Sequence, residues 1–300
     1  MTTVSEVQVE AEFEDLSSKS SVLSAISTMF RKQPLGVFGA GIVIVMILMA
    51  VFADLITTID PEENNLEFML TAPGEMFFLG TDQFGRDLLT RIIFGARTAL
   101  FVGFTCAIIG STLGLVLGVA SAYFGGVIDL VIQRVVDVIM AFPLIILALA
   151  VVATLGPGAE NVIIAITIPF VPQCARVVRS NALAIREIPY IDAARALGFS
   201  HTRIILRHMV PNVMAPFLIM ATSFLGQAIL LEASLSYLGL GVQEPTAAWG
   251  LMLQGGAEEY AESAPWVAIW PGIAISLAVF GFNLFGDAVR DTLDPKLRSQ

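Results

Sequence analysis

Six long apolar stretches, separated by polar and Gly/Pro-containing segments, organise this chain. A helix needs about 20 mostly apolar residues to cross a bilayer. The stretches lie at about Leu35–Leu55, Thr98–Ala122, Val138–Leu155, Val162–Val178, Val213–Leu231 and Ala264–Phe285. The pattern predicts an all-α integral membrane protein with six transmembrane helices. It divides the chain into a polar head (1–33), a first transmembrane helix (34–56), an extracytoplasmic segment (57–97), a five-helix core (98–290) and a tail (291–300). The first stretch is longer than a signal-peptide core and follows an acidic head, so it reads as a retained span. Pro143 falls inside the third span, Pro169 and Pro172 interrupt the short fourth, and Pro271 lies in the sixth. Prolines free backbone carbonyls that need new partners, which favours helices packed against other protein. Gly110, Gly114 and Gly118 put small residues on one face of the second span. That spacing permits close helix contact, within this chain or with another subunit. No internal repeat or low-complexity run interrupts the pattern.

Composition makes the same case. Apolar residues form 56 % of the chain, charged residues 14 %, and the mean hydropathy is +0.81. A soluble domain carries about 25 % charged residues. The chemistry excluded is equally informative. None of Lys19, Lys32 and Lys296 follows a glycine as a phosphate-binding loop requires, and the only histidines are His201 and His208. Cys106 and Cys174 stand far apart in apolar surroundings, so they read as packing residues, with no metal spacing. No catalytic set and no metal site is visible. The net charge of −10 argues against nucleic acid as a partner.

Charge distribution sets the expected orientation. Lys19, Arg31, Lys32, Arg134, Arg176, Arg179, Arg186, Arg195, Arg203, Arg207, Arg290, Lys296 and Arg298 fall on one side of the six spans, and only Arg86, Arg91 and Arg97 on the other. The positive-inside rule places both termini in the cytosol. Asp60, Glu62, Glu63, Glu67, Glu75, Glu258, Glu259 and Glu262 make the outer face acidic.

The middles of the spans hold no ionisable residue, whereas ion-coupled carriers bury one there. Arg134, Asp137 and Glu232 stand at span ends, where anchoring and pairing explain them. Energy for uphill transport would therefore enter elsewhere, and the longest inner loop, Arg176 to Asn212, which contains the segment 186–211, is the candidate. Pro189 suits the first turn of a helix running through Tyr190 to Leu197, Gly198 a left-handed terminator, and Ser200 the cap of a second helix that lasts until Pro211 opens the fifth span. Tethering between two spans argues against DNA as the target of this helix-turn-helix. Rest on the bilayer surface remains an alternative; docking on a cytosolic protein fits its small residues better.

The loop resembles the cytosolic signature of permeases of ATP-binding-cassette (ABC) importers: Glu-Ala-Ala, three residues, Gly, nine residues, Ile, any residue, Leu, Pro. Here it reads Asp192-Ala193-Ala194, Gly198, then His208-Met209-Val210-Pro211, with all spacings kept. Asp stands for Glu, His208 for Ile and Val210 for Leu. The stretches Ala193–Gly198 and Arg207–Asn212 look like the dipeptide/oligopeptide/nickel branch. So do Leu79–Asp87 with Arg91 and Gly95-Ala96-Arg97, which resembles the C-type subunit, Leu235–Gly241 with Pro245 and Trp249-Gly250, and Asn283-Leu284 through Asp294-Pro295. The likeness covers about residues 30 to 295; the acidic head, residues 1 to 25, lies outside it and reads as disordered.

The resemblance implies a type I importer permease fold with a coupling helix between spans four and five. Asp192, Ala193, Ala194, Leu197, Gly198, Phe199 and Ser200 would seat on an ATPase. The implied partners are a homologous sister permease, two cytosolic ABC ATPases and an extracytoplasmic solute-binding protein, in a prokaryotic cytoplasmic membrane. ATP and Mg would be bound by the ATPases, with no cofactor and no catalysis on this chain. Gly80, Thr81, Asp82, Gly85, Arg86 and Asp87 read as a charge-paired, capped element or as a docking surface for the binding protein. Dipeptides or oligopeptides are the expected cargo; nickel or another small solute, or an ATPase-independent secondary carrier, are the alternatives.

Overall fold

The structure, a computed structural model, describes residues 33–293. The disordered head and the end of the tail expected from sequence lie outside the described residues. Among these the chain is helical, with one isolated bridge between Thr81 and Asp87. The nine principal helices are α1 (Pro34–Val51), α2 (Leu88–Phe124), α3 (Gly126–Met140), α4 (Leu144–Leu155), α5 (Ala159–Arg186), α6 (Pro189–Ala196), α7 (Met214–Tyr237), α8 (Trp249–Glu259) and α9 (Trp266–Leu293).

The helix ends follow local chemistry more than hydropathy. Pro34 occupies the first turn of α1. α2 starts ten residues before the apolar stretch because Asp87 caps it, accepting from the Thr90 backbone N–H at 2.8 Å and the Thr90 hydroxyl at 2.6 Å. With 37 residues it is about 55 Å long, well beyond a bilayer's apolar thickness. Gly125, at φ +64°, ends it.

Two more spans differ from expectation, both at their prolines. The third is broken: α3 and α4 meet at 89°. Pro143 lies at the break as the N-cap of α4, and a proline keeps the residue before it out of helical geometry. α4 has 12 residues, about 18 Å, so it cannot cross a bilayer alone. Five continuous apolar helices plus this bent pair account for the six spans among the described residues. The fourth span is longer than expected, because α5 runs through Pro169 and Pro172 for 28 residues without a break.

Packing against α2 explains that continuity. Gly110, Gly114 and Gly118 face α5 at backbone contact. A Cβ on Gly114 would stand 2.5 Å from Cys174 Cβ and 2.9 Å from the Val171 carbonyl; one on Gly110 would stand 2.7 Å from Phe170 Cβ. The glycine face is therefore an internal seam of this chain. A second seam joins α1 to α9, where Gly39 lies against Gly281 and Leu284. Overpacking such a contact costs about 1–3 kcal/mol. Gly114→Val should accordingly lower the melting midpoint of detergent-solubilised protein. Gly41→Ala, with nothing within 4 Å of the new methyl, should leave it unchanged or slightly raised. Equal midpoints for both variants would contradict the seam.

Candidate functional site

Both sequence-singled segments are anchored at ends of α2, one at each. At its C-terminal end lies the 186–211 loop. Ile188 is extended before Pro189, which starts α6. Leu197 caps the helix and Gly198 takes φ +75°. The Gly198 N–H donates to the Arg195 carbonyl (2.9 Å) and the Phe199 N–H to the Ala194 carbonyl (3.1 Å), a paired left-handed closure that satisfies the last carbonyls. Ser200 caps the next turn, His201–Ile204, accepting from Arg203 N–H at 3.4 Å. The chain then passes through a π turn (Ile205–Met209) and a 3-10 turn (Val210–Val213) into α7.

Of the residues expected to contact a partner, Asp192, Ala193, Leu197, Gly198 and Ser200 are exposed. Leu197 stands 74 % exposed, although it is a large apolar side chain. Ala194 turns inward beside fully buried Ile191 and cannot itself form a contact surface. Phe199 is half-buried, held under the Arg203 guanidinium 4.0 Å above its ring. Asp192 pairs with Arg195 at 2.9 Å. The exposed face is thus small residues around one projecting leucine.

The loop is fastened to α2. Tyr123 Oη meets His201 Nδ1 at 2.7 Å, Arg195 stacks on the Tyr123 ring, and Arg186 Nη1 donates to the Ala122 carbonyl at 2.8 Å. One turn back, Arg179 of α5 holds Asp129 of α3 through two bonds of 2.6 Å, and the Ser121 hydroxyl bonds the same carboxylate. Asp137 pairs with Arg176 at 2.5 Å, as its place at a span end suggested. Sequence reasoning missed Tyr123 and the Asp129–Arg179 pair, whose partners come from distant segments.

At the other end of α2 lies a clamp. Asp82 Oδ1 accepts from the Phe84 and Arg86 backbone N–H groups (2.9 Å each), and Oδ2 from Arg86 Nε at 2.7 Å. Arg86 then reaches across to Glu244, in the segment after α7, with Nη1 and Nη2 at 2.5 and 3.1 Å. Arg91 is wholly buried, 3.7 Å from both Asp82 and Glu244, and donates to the Pro61 (2.7 Å) and Pro245 (3.1 Å) carbonyls. Burial works against the Arg86 charge, but Glu244 and Asp82 outweigh it and hold its pKa above the ordinary arginine value. The guanidinium stays cationic at any physiological pH. Thr81 bonds the Phe68 carbonyl and receives the Thr71 N–H. Gly80 and Gly85 take φ +82° and +74°, with Gly85 pressed against the Asn65 backbone.

Gly80, Thr81, Asp82, Gly85, Arg86 and Asp87 are therefore all buried within the chain. Of the two readings open from sequence, they meet the first, a charge-paired and capped element; they can shape a surface but their side chains do not present one. Glu244 was missed, being 158 residues from Arg86. Beside the clamp, Arg97, Phe101, Ala159, Gln243 and Glu244 surround an open cavity of about 540 Å³. Glu232 is buried in α7 and has no cationic partner among the described residues, against the pairing expected; it accepts from Ser236 Oγ (2.7 Å), which in turn accepts from the Val242 N–H (3.2 Å). Among the described residues no cluster of three or more His, Cys, Asp or Glu side chains could hold a metal ion.

Comparison with known proteins adds an independent line. The pattern of the family described as binding-protein-dependent transport system inner membrane component matches residues 110–299. That of the N-terminal transmembrane domain of oligopeptide transport permease C matches residues 23–73. The chain is 45 % identical over 273 residues to the dipeptide transport system permease protein DppC of Alkalihalophilus pseudofirmus, covering 90 % of this chain and 88 % of that one. It is 41 % identical over 280 residues to a putative peptide transport system permease protein of Brucella suis (93 % and 94 %). It is also 41 % identical over 270 residues to the glutathione transport system permease protein GsiD of Escherichia coli (90 % and 89 %). Among solved structures, an inward-facing form of the MetNI methionine ABC transporter superposes with a TM-score of 0.56 at 20 % identity, covering 69 % of this chain and 98 % of that one, a likeness of fold.

Proposed function

This chain belongs to the family of binding-protein-dependent transport system inner membrane components, and from that premise we propose that it carries dipeptides or oligopeptides inward as one permease of a heterodimer. It is the membrane-spanning subunit of an ABC importer, and hydrolysis takes place on two partner ATPases that bind ATP with Mg. The chain itself has no reaction to catalyse. Both termini and the 186–211 loop face the cytosol; the clamp faces outward, where a solute-binding protein delivers cargo.

The observation that carries the reading is the exposed end of α6. Leu197 projects from small residues at the end of a helix that is closed at Gly198 and stacked on Tyr123 of α2 through Arg195, and His201 of the next turn bonds the same tyrosine. An apolar knob among small residues suits insertion into a groove on another protein, and the bonded base transmits displacement. ATPase closure would pull α6, shift α2 with its attached clamp, and open the path outward; hydrolysis would reset it. This is alternating access driven from a docking helix. The clamp residues support the outer platform, and the half-exposed Glu244 with its neighbouring cavity is nearer to the surface a binding protein meets. Peptide cargo is supported by relatives named for dipeptides, peptides and glutathione. Nickel has less support, because no carboxylate–histidine–thiol cluster occurs among the described residues.

The test is ATPase activity of the chain co-assembled with its sister permease, ATPases and binding protein in lipid vesicles. Peptide-loaded binding protein should stimulate hydrolysis and drive uptake. Transport by the chain alone on a proton gradient, or stimulation by nickel but by no peptide, would overturn the reading.

A further inference from the structure

Polar groups occupy the middle of α7 on a face where an apolar side chain would be expected. Ser223, Gln227, Leu230 and Ser234 follow one another at helical spacing and share that face. The opposite side of α7 is buried through Phe224, Ala228, Ile229 and Leu235. On the open face Ser223 and Leu230 are exposed and Gln227 is half-buried. Each serine donates back to its own helix, Ser223 to the Ile219 carbonyl (2.9 Å) and Ser234 to Leu230 (2.7 Å), which leaves it as an acceptor only.

The amides are different. Gln227, near the midpoint of Met214–Tyr237, forms no side-chain hydrogen bond with the described residues. Nor does Asn283, exposed on α9, which lies over the neighbouring Gly226; its Oδ1 is 3.0 Å from where a Cβ on that glycine would stand. Two primary amides without an internal partner thus flank the α7–α9 contact, Asn283 covering Gly226 and Gln227 following that glycine in sequence. Hydrocarbon offers them no hydrogen-bond partner, so a lipid-facing position is strongly disfavoured. Further along the same face a cavity of about 300 Å³ opens between Leu230, Ser234, Tyr237, Leu253 and Ile275.

We propose that this face of α7, together with Asn283, lines the water-filled route of the cargo, and that Gln227 and Asn283 hydrogen-bond the peptide main chain. The proposal rests on the peptide-importer reading for its ligand. A primary amide both donates and accepts, so it complements a peptide bond whatever the side chains. Contacts of this kind guide diverse peptides without holding any of them tightly. A metal cargo would call for a cluster of carboxylate, imidazole or thiolate; none of these stands on this face of α7, and on α9 the exposed Asp287, one turn beyond Asn283, is a single carboxylate.

The experiment uses Gln227→Cys and Asn283→Cys in the assembled complex in vesicles. Labelling is read on this chain alone, whose native Cys106 and Cys174 are fully buried and give a silent background. A small, water-soluble methanethiosulfonate should modify both new thiols, and Ile108→Cys, on an exposed apolar position of α2, should stay inert. New thiols as inert as Ile108→Cys would overturn the proposal, whether lipid or a dry subunit contact covers them. That readout is independent of cargo, so it separates failure of the route from failure of the importer reading. For the ligand, trialanine uptake by Gln227→Leu/Asn283→Leu should fall about tenfold at equal amounts of assembled complex, roughly the worth of one to two hydrogen bonds. Unchanged uptake would remove the amides from any role in peptide passage.

Discussion

Replacing Gly198 with proline should cut peptide uptake to below a tenth of the wild-type rate, while vesicles holding the assembled complex should continue to hydrolyse ATP. Gly198 sits at φ +75°, whereas a proline ring fixes φ near −65°. Proline also lacks the N–H that closes α6 on the Arg195 carbonyl. Strain in the left-handed region is about 1–2 kcal/mol for an ordinary residue, and the lost bond adds about 1 kcal/mol. The end of α6, including exposed Leu197, should unwind or change direction. Little else should suffer, because nothing lies within 4 Å of a Cβ built at Gly198 and the helix seams are remote. Insertion and assembly are therefore retained, and the defect falls on the transfer of motion. Gly198→Ala should show the same defect more weakly, since it keeps the N–H. Wild-type uptake by Gly198→Pro, measured in vesicles with matched complex content, would remove α6 from the coupling path.

What the amino-acid sequence discloses here depends on the range over which each constraint acts. The bilayer demands long apolar runs, and these are visible as composition. Pro189, Gly198 and Ser200 act within a turn of themselves, so the boundaries of α6 and the cap after it are legible residue by residue. Hydropathy fails where the determinant is geometric. It cannot tell that Pro143 separates two helices at 89°, or that Pro169 and Pro172 leave α5 whole. In the second case the deciding fact is the glycine seam on α2, a packing partner more than fifty residues away in sequence. The ten-residue extension of α2 beyond its apolar stretch escapes for a related reason: Asp87 sets that end, and a polar cap carries no hydropathy. The candidate site divides in the same way. The extent of α6 could be named in advance but not its exposed face, since Ala194 turns inward and Phe199 is half-buried; the Tyr123–His201 bond and the Arg86–Glu244 pair join segments 78 and 158 residues apart, and no local pattern announces them.

Arg86→Met should lower the melting midpoint of the detergent-solubilised protein by about 6–20 °C. Arg86 is 3 % exposed and serves two carboxylates at once, Asp82 through Nε and Glu244 through both terminal nitrogens. Without it, Asp82 stays buried with only the more distant Arg91 at 3.7 Å to offset its charge. Removing one partner of a buried pair costs about 3–5 kcal/mol, because an uncompensated charge remains. At about 2–4 °C per kcal/mol for a chain of this size class, the midpoint shifts by that amount. Arg86→Lys should recover only part of the loss, since one ammonium cannot match the planar fork that spans Asp82 and Glu244. Adding Asp82→Asn to Arg86→Met should recover part as well, by removing the stranded charge, so the two substitutions should be less than additive. The same variants decide what the segment is for. If Arg86→Met melts like the wild type and only its affinity for the binding protein falls, Arg86 is a contact residue and the clamp reading is wrong. If stability and affinity fall together and the Asp82→Asn/Arg86→Met pair restores both in part, the segment acts by holding the platform in shape.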